Sequence, residues 1–442
     1  MTSPVPPPTC PAHTAAPFTD PHGHSAFPFA EATFLPGPDF AADPAALYER
    51  LRAEHGPVAP VVLHDGVPAW LVLGYNEVAA VLRDEARFSA NSGNWRELAQ
   101  GRVPATWPLL PVIMATPTPR STDGAELAYL RGIISGSLAK LRPRQVRRHV
   151  EDTADQLIAA FSARGEADLM ADFAKPLPGL VMARLLGVPE EQVHVLVDGV
   201  ARMVDGGPDA PSAGQLVIEM LAEVTAAKAT WPERDLISWM LAGPGRPAGR
   251  DINDPRWVET VAYQAWLVLC GGLEASQVWI ANCALLVMTS ALGGEMRGGR
   301  LTVADALSAA LWQYAPVQNL FGRWALTDVP LGRVVIQRGD MVIVGLAAAG
   351  SDPAIEPGRA AASHSRSYPA FGVGPHTCPA ADLGELITRI ATEHLLQHVP
   401  GLPLAVPAED LSWRPTLLMR GLASLPVAFE PFRLPTRAGL PR

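Results

Sequence analysis

Phe371-Gly372-Val373-Gly374-Pro375-His376-Thr377-Cys378-Pro379 is the segment whose residue types and spacing carry the clearest chemical meaning. Gly372 and Gly374 permit positive φ and a close approach of the backbone to a planar ligand. Helical spacing follows through Leu383, Ile387, Ile390 and Leu395, so the loop delivers Cys378 to a helix start. A metal-bound thiolate needs backbone N–H donors aimed at sulfur and a positive local potential, and a helix N-terminus supplies both. The competing reading is an inert cysteine buried beside a turn, which is the commoner fate of an arbitrary cysteine.

A second group lies in Trp257 to Ser290, which is apolar on nearly every face and carries Gly271-Gly272-Leu273-Glu274-Ala275-Ser276 at its middle. As a helix this segment is about 50 Å long and runs through a core. A membrane span is disfavoured, because Glu274 interrupts it and the flanking apolar stretches are shorter than the roughly 20 residues a bilayer needs. Adjacent glycines inside a helix are each unfavourable by about 1 kcal/mol relative to alanine, so they suggest that something flat approaches the backbone there. Glu274 is the only charge between Val261 and Met288. A lone buried carboxylate needs a partner, a proton or a water-filled groove. A kinked helix with a paired carboxylate fits these residues as well as a cofactor face does.

The elements that must position these groups make up one mostly helical chain. Of its 442 residues 48% are hydrophobic and 18% charged, and the formal net charge of -9 gives no footprint for nucleic acid. Cys10, Cys270, Cys283 and Cys378 are too scattered for a disulfide framework, so reduced cytosolic thiols and a cytoplasmic location are expected. Residues 1–40 are threaded with prolines from Pro4 to Pro38, without a basic segment leading into an apolar stretch, and read as a poorly ordered tail. Cys10, His13, His22 and His24 in that tail fit no common zinc spacing.

Asp43 to His55 reads as a short helix capped by Asp43 with Pro44 at its first position. Val58 to Leu63 and Ala69 to Leu73 read as strands about the Asp65-Gly66 turn, followed by a helix over Asn76 to Arg83. The pattern from Asp123 to Leu301 is mainly helical. Strand character returns at Val334 to Ile336, at Met341 to Gly345 and in short pieces near 402–406 and 425–429. With no repeat and no linker after residue 40, the expectation is a single domain over 41–442, mainly α with small β-sheets, of the α+β class.

F-G-x-G-x-H-x-C is a strongly specific signature, and the segment from Phe371 to Cys378 resembles the haem loop of the cytochrome P450 superfamily. Asp168 to Pro178 with Leu185 to Pro189, Trp413-Arg414-Pro415 with Arg420-Gly421-Leu422, and Tyr48 to Gly74 resemble further segments of its soluble bacterial members, so the likeness covers nearly everything after residue 40. It implies haem b between a long central helix and the cysteine loop, with Cys378 as the axial thiolate and metal ligand, pushing electron density onto iron and favouring O–O cleavage. It also implies that Arg131, Arg323 and His376 hold the haem propionates, while Phe371, Gly372, Gly374, Gly271 and Gly272 shape the cofactor site.

Departures from the family pattern narrow these implications. The central helix of the family reads Ala/Gly-Gly-x-Asp/Glu-Thr, and here the catalytic positions are Glu274, Ala275 and Ser276. The missing threonine hydroxyl normally anchors the water that delivers protons, so with Ala275 the proton must come from Ser276, from a substrate hydroxyl, or not at all. The Glu-x-x-Arg pair is replaced by Ala310-Leu311-Trp312-Gln313, and Leu127 stands where relatives carry a propionate-binding histidine. The Asp352 to Tyr368 loop is also short. These features resemble an actinobacterial subgroup that lacks Glu-x-x-Arg. The function implied is a haem-thiolate monooxygenase or oxidoreductase of secondary metabolism acting on an apolar small molecule, with ferredoxin and ferredoxin reductase, or peroxide, as its redox supply. Its pocket is expected from the 91–118 loop, the 200–218 segment, Leu320-Phe321 and Leu417-Leu418. The alternative is a non-oxygenating haem-dependent rearrangement or dehydration catalyst, or a helper protein for a partner enzyme.

Overall fold

The computed structural model describes residues 29, 32–355, 367–399 and 402–434. Its axis is the helix Pro255–Thr289, started by Asp254, whose carboxylate accepts from the backbone N–H groups of Arg256 and Trp257, with Pro255 at the first helical position. Helices Pro176–Leu186, Ala210–Thr230, Val303–Gln313 and Ala381–His398 pack on this axis. It is long and apolar enough to cross a membrane, but 72% of its most apolar window is buried inside the fold, as in a core helix.

Among the described residues ten strands complete the fold: β1 (Thr33–Phe34), β2 (Val58–Val62), β3 (Pro68–Val72), β4 (Phe88–Ser89), β5 (Glu166–Asp168), β6 (Asn319–Ala325), β7 (Val329–Leu331), β8 (Val334–Ile336), β9 (Met341–Gly345) and β10 (Pro426–Ala428). The main sheet has the order β1-β2-β3-β9-β6-β4, with β5 pairing β10 and β7 pairing β8 in two small ribbons. The β2–β3 hairpin turns where expected, with Asp65 at φ 56 and Gly66 at φ 74. In β6 the register shifts between Leu320 and Arg323, and Gly322 lies there at φ 94. Such a bulge re-aims the side chain that follows it, here Arg323.

The structure corrects two expectations. The folded part begins before residue 41: Thr33 and Phe34 pair with Val61 and Val62, and Leu35 and Phe40 are buried beside Leu47 and Leu51. Short strand pairing and apolar burial outweigh the proline content there, while residues 1–28, with the cysteine and histidines of the tail, lie outside the described residues. Most of the loop before the cysteine segment, 356–366, lies outside them as well. Within 402–406 the described residues contribute a single bridge, Leu404 to Val427. Strand β6 is an addition, since its Asn-Leu-Phe-Gly-Arg-Trp sequence lacks the alternation that marks a half-buried strand.

Candidate functional site

The cysteine loop closes on itself. The Cys378 amide donates to the Phe371 carbonyl at 2.9 Å, and Gly372 and Gly374 adopt φ 69 and φ 78. Burial pushes the Cys378 thiol up, while the Ala380 N–H directed at sulfur and the positive charge of Arg131 work against that rise. A cation and an aimed amide are the two features that favour a thiolate. The loop glycines have different reasons. A Cβ at Gly374 would sit 2.7 Å from the Leu82 carbonyl, so this glycine serves packing against helix Tyr75–Arg83, whereas at Gly372 nothing lies closer than 3.8 Å.

Two arginines, Arg323 buried and Arg120 part-buried, face the same region. Arg323 is 4% exposed and donates to the neighbouring Gly322 carbonyl at 2.8 Å. Arg120 donates to the carbonyls of Val112 and Met114 at 2.7 and 2.9 Å, and its Nε is shielded from solvent with no hydrogen-bond partner among the described residues. Among those residues neither guanidinium has a carboxylate within ion-pair distance; Asp123 and Glu85 act on Arg323 at longer range. Burial pushes each arginine down to about 10, and Arg323 lowers Arg120 further. Paired cations without an anion are costly in a protein interior. They fit the two carboxylates of a haem. Sequence reasoning missed Arg120, because the loop from residue 91 to 120 offers no signal that separates it from the other arginines there.

His376 stands beside Pro119, Glu85 and Asp123. Its Nδ1 lies 3.0 Å from the Pro119 carbonyl, and its Nε2 lies 3.4 Å from Glu85 and 3.6 Å from Asp123. Helix Gly124–Leu138 brings its leading Asp123 against the loop, yet His376 Nε2 is shielded from solvent and has no hydrogen-bond partner among the described residues.

On the central helix, Leu267, Cys270, Gly271 and Ala275 are accessible among buried neighbours. Their spacing puts them on one face. A Cβ at Gly271 would meet no heavy atom within 4 Å, leaving room for a flat group, but at Gly272 it would come 2.9 Å from Met182 Cε. Gly272 therefore answers to helix packing. Ser276 is buried.

Glu274 is not a lone carboxylate. Arg414 donates to it at 2.9 Å and Gln277 at 2.6 Å, while Arg414 also donates to Asp205 at 2.6 Å. Side-chain exposure falls from 48% at Asp205 to 14% at Arg414 and 3% at Glu274, a charged path from surface to interior. Burial holds Glu274 above its ordinary value of 4.5, with Arg414 offsetting part of that rise. Arg414→Ala leaves the carboxylate buried without its cation and is expected to destabilise the fold by about 3–5 kcal/mol at neutral pH. Because the folded-state value is raised, the loss is smallest where Glu274 is protonated in both states and grows as pH rises through the folded value. Urea unfolding of the variant at a series of pH values from acid to neutral measures this slope.

Where the Glu-x-x-Arg pair is absent, aromatic rings take over. Trp312 meets Tyr368 edge-on at 6.1 Å, Tyr368 meets Phe371 at 6.1 Å, and Phe371 meets Trp279 of the central helix at 5.7 Å. Ala310 is buried and Gln313 exposed, so neither position offers a charged contact. The chain of rings ties helix Val303–Gln313 to the cysteine loop through dispersion and edge-to-face attraction.

No family model matches the chain. It is 30% identical over 391 residues to 2-hydroxy-5-methyl-1-naphthoate 7-hydroxylase of Streptomyces carzinostaticus, covering 86% of this chain and 93% of that one. It is also 33% identical over 412 residues to the cytochrome P450 monooxygenase PikC of Streptomyces venezuelae, covering 89% and 93%. Among solved structures it resembles CYP154C4 from Streptomyces sp. W2061, with TM-score 0.80, 26% identity and coverage of 90% and 97%. The tirandamycin C-bound P450 monooxygenase TamI gives TM-score 0.76, 28% identity and coverage of 88% and 98%. Likenesses of this extent span the fold that carries the cysteine loop and Arg323, and they bring with them a haem cofactor and an enzyme of haem-thiolate oxidation. The chain belongs to the cytochrome P450 superfamily.

Proposed function

We propose that the protein is a cytoplasmic monooxygenase that inserts one oxygen atom into an apolar small molecule of secondary metabolism. Cys378 would ligate the haem iron through its thiolate, and Arg120, Arg323 and Arg131 would hold the cofactor's carboxylates. The observation that carries this reading is the union of an amide-facing cysteine with two arginines, one buried and one part-buried, that have no carboxylate within ion-pair distance among the described residues. When bound, thiolate-ligated haem supplies reductive oxygen activation. Two electrons come from a ferredoxin and its reductase, two protons from solvent, and the second oxygen atom leaves as water.

The chain's own residues set the conditions for that chemistry. Leu109, Ile113, Phe321 and Leu417 share one apolar cluster, with Leu110, Val112 and Leu418 packed against it, which supports an apolar substrate. The Thr416 hydroxyl donates to the Val204 carbonyl at 3.3 Å, tying this wall to helix Val193–Asp205. Asp205, Arg414 and Glu274 give protons a charged route inward, ending beside Ala275, whose methyl cannot hold a water. A substrate hydroxyl or Ser276 then completes the route. Where the substrate completes the route, substrates without a hydroxyl should turn over poorly; where Ser276 does, turnover should not depend on a substrate hydroxyl.

Ala275 also motivates the second reading, a haem-dependent rearrangement or dehydration without oxygen insertion. Turnover under isotopic dioxygen, with ferredoxin and reductase against a panel of apolar secondary metabolites, separates the two. Label in the product supports oxygenation. Product formed without label, and without a requirement for electrons, overturns it.

A further inference from the structure

We propose that Asp155, His394 and His398 form a binding site for a divalent transition metal of the zinc class. The site would join helix Ala381–His398, which begins behind the cysteine loop, to helix Pro143–Ser162. It shares no residue with the haem region.

His394 and His398 stand four apart on one helix, and Glu151 and Asp155 stand four apart on its neighbour, so both pairs present one face. One ligand atom each of Asp155, His394 and His398 lies within 4.8 Å of the others. Asp155 Oδ1 is 3.3 Å from His394 Nδ1 and 3.9 Å from His398 Nε2. Tetrahedral zinc with bonds of about 2.0–2.1 Å sets its ligand atoms about 3.3 Å apart, so only small side-chain rotations separate this arrangement from coordination. The two histidine rings lie 5.9 Å apart and tilted, as ligands converging on one point require.

Two further features point to an ion instead of simple histidine–carboxylate pairing. His394 Nδ1 is shielded from solvent and lacks a hydrogen-bond partner among the described residues, yet it is the nitrogen aimed at Asp155. The other nitrogen, Nε2, faces Glu151 at 3.9 Å, in the outer position that a carboxylate occupies behind a metal-bound imidazole. Side-chain exposures of 14%, 26% and 27% for His394, His398 and Asp155 leave a fourth position open to water. Imidazole nitrogens with a carboxylate oxygen suit zinc better than calcium or magnesium, which prefer all-oxygen sets.

The test is equilibrium dialysis of the tag-free, full-length haem protein against zinc, with bound metal read by elemental analysis. A His394→Asn/His398→Asn variant and a Cys10→Ser/His13→Asn variant are measured beside it. The expected result is one tight equivalent in the wild type and in the Cys10 variant, and loss of that equivalent or at least tenfold weaker binding in the double histidine variant. Zinc should raise the melting temperature of the first two proteins only, with haem spectra unchanged in all three. No bound zinc in the wild type, or the same equivalent retained by the histidine variant, overturns the proposal.

Discussion

Arg120→Met is expected to release haem about 10-fold to 100-fold faster than the wild type while leaving the haem-free protein no less stable. A hydrogen bond to a charged group is worth about 1.5–3 kcal/mol, which sets the size of the loss. The stability of the haem-free form follows from the opposite side of the same chemistry. Without the cofactor's carboxylates, Arg120 is a part-buried cation, its Nε shielded and unpartnered among the described residues, beside the buried cation Arg323. Removing it offsets the loss of its two bonds to the Val112 and Met114 carbonyls. Haem transfer to apomyoglobin gives the first quantity and urea unfolding of the haem-free protein the second. Unchanged release would show that Arg120 does not touch the cofactor. Arg323→Met should behave in the same way, and the double variant should fall short of the product of the two, since the residues act on one group.

Trp312→Ala carries the second large effect. The ring is partly buried, so the expected loss lies toward the low end of the about 3–5 kcal/mol typical of removing a core tryptophan. With the Trp312–Tyr368–Phe371 contact gone, the cysteine loop loses a restraint that relatives with Glu-x-x-Arg obtain from charge. The fraction of protein showing the thiolate-type carbon monoxide spectrum should fall together with the melting temperature. Trp312→Phe should retain most of both. Gln313→Ala at the exposed neighbouring position should stay within about 0.5 kcal/mol of the wild type. Equal losses at 312 and 313 would contradict the aromatic account.

The residues readable from sequence are those whose meaning is local. Cys378 and its glycines fall within one short loop, Asp43 and Pro44 announce their helix directly, and the apolar run of the central helix needs no partner to be recognised. Gly271 and Gly272 look alike in sequence. Only the approach of Met182, from another helix, shows that the second is a packing glycine. Arg120 acquires its role from Arg323, which a bulge in β6 turns inward from a distant part of the chain. Glu274 could equally have been a solitary acid or half of an ion pair, and Arg414 from the closing segment decides for the pair. Loss of the Glu-x-x-Arg pair was visible, but Tyr368 as the partner of Trp312 was not, because ring contacts between separate segments leave no periodic trace.

The central helix keeps two requirements apart. Thiolate ligation rests on the loop and the arginines, whereas oxygen insertion depends on proton delivery past Ala275. In the fraction of an Arg414 variant that stays folded, the second is affected and the first is not, so spectra and turnover should part company there. Changes in the apolar cluster around Phe321 and Leu417 should alter substrate preference with the spectrum intact.

The reduced carbon monoxide difference spectrum of the purified haem protein tests the central assignment most directly. Ligation by the Cys378 thiolate predicts a Soret band at the red-shifted position diagnostic of a thiolate opposite carbon monoxide. A band at the position of a neutral or nitrogen ligand in freshly prepared, fully folded protein, or failure to bind haem at all, would contradict it.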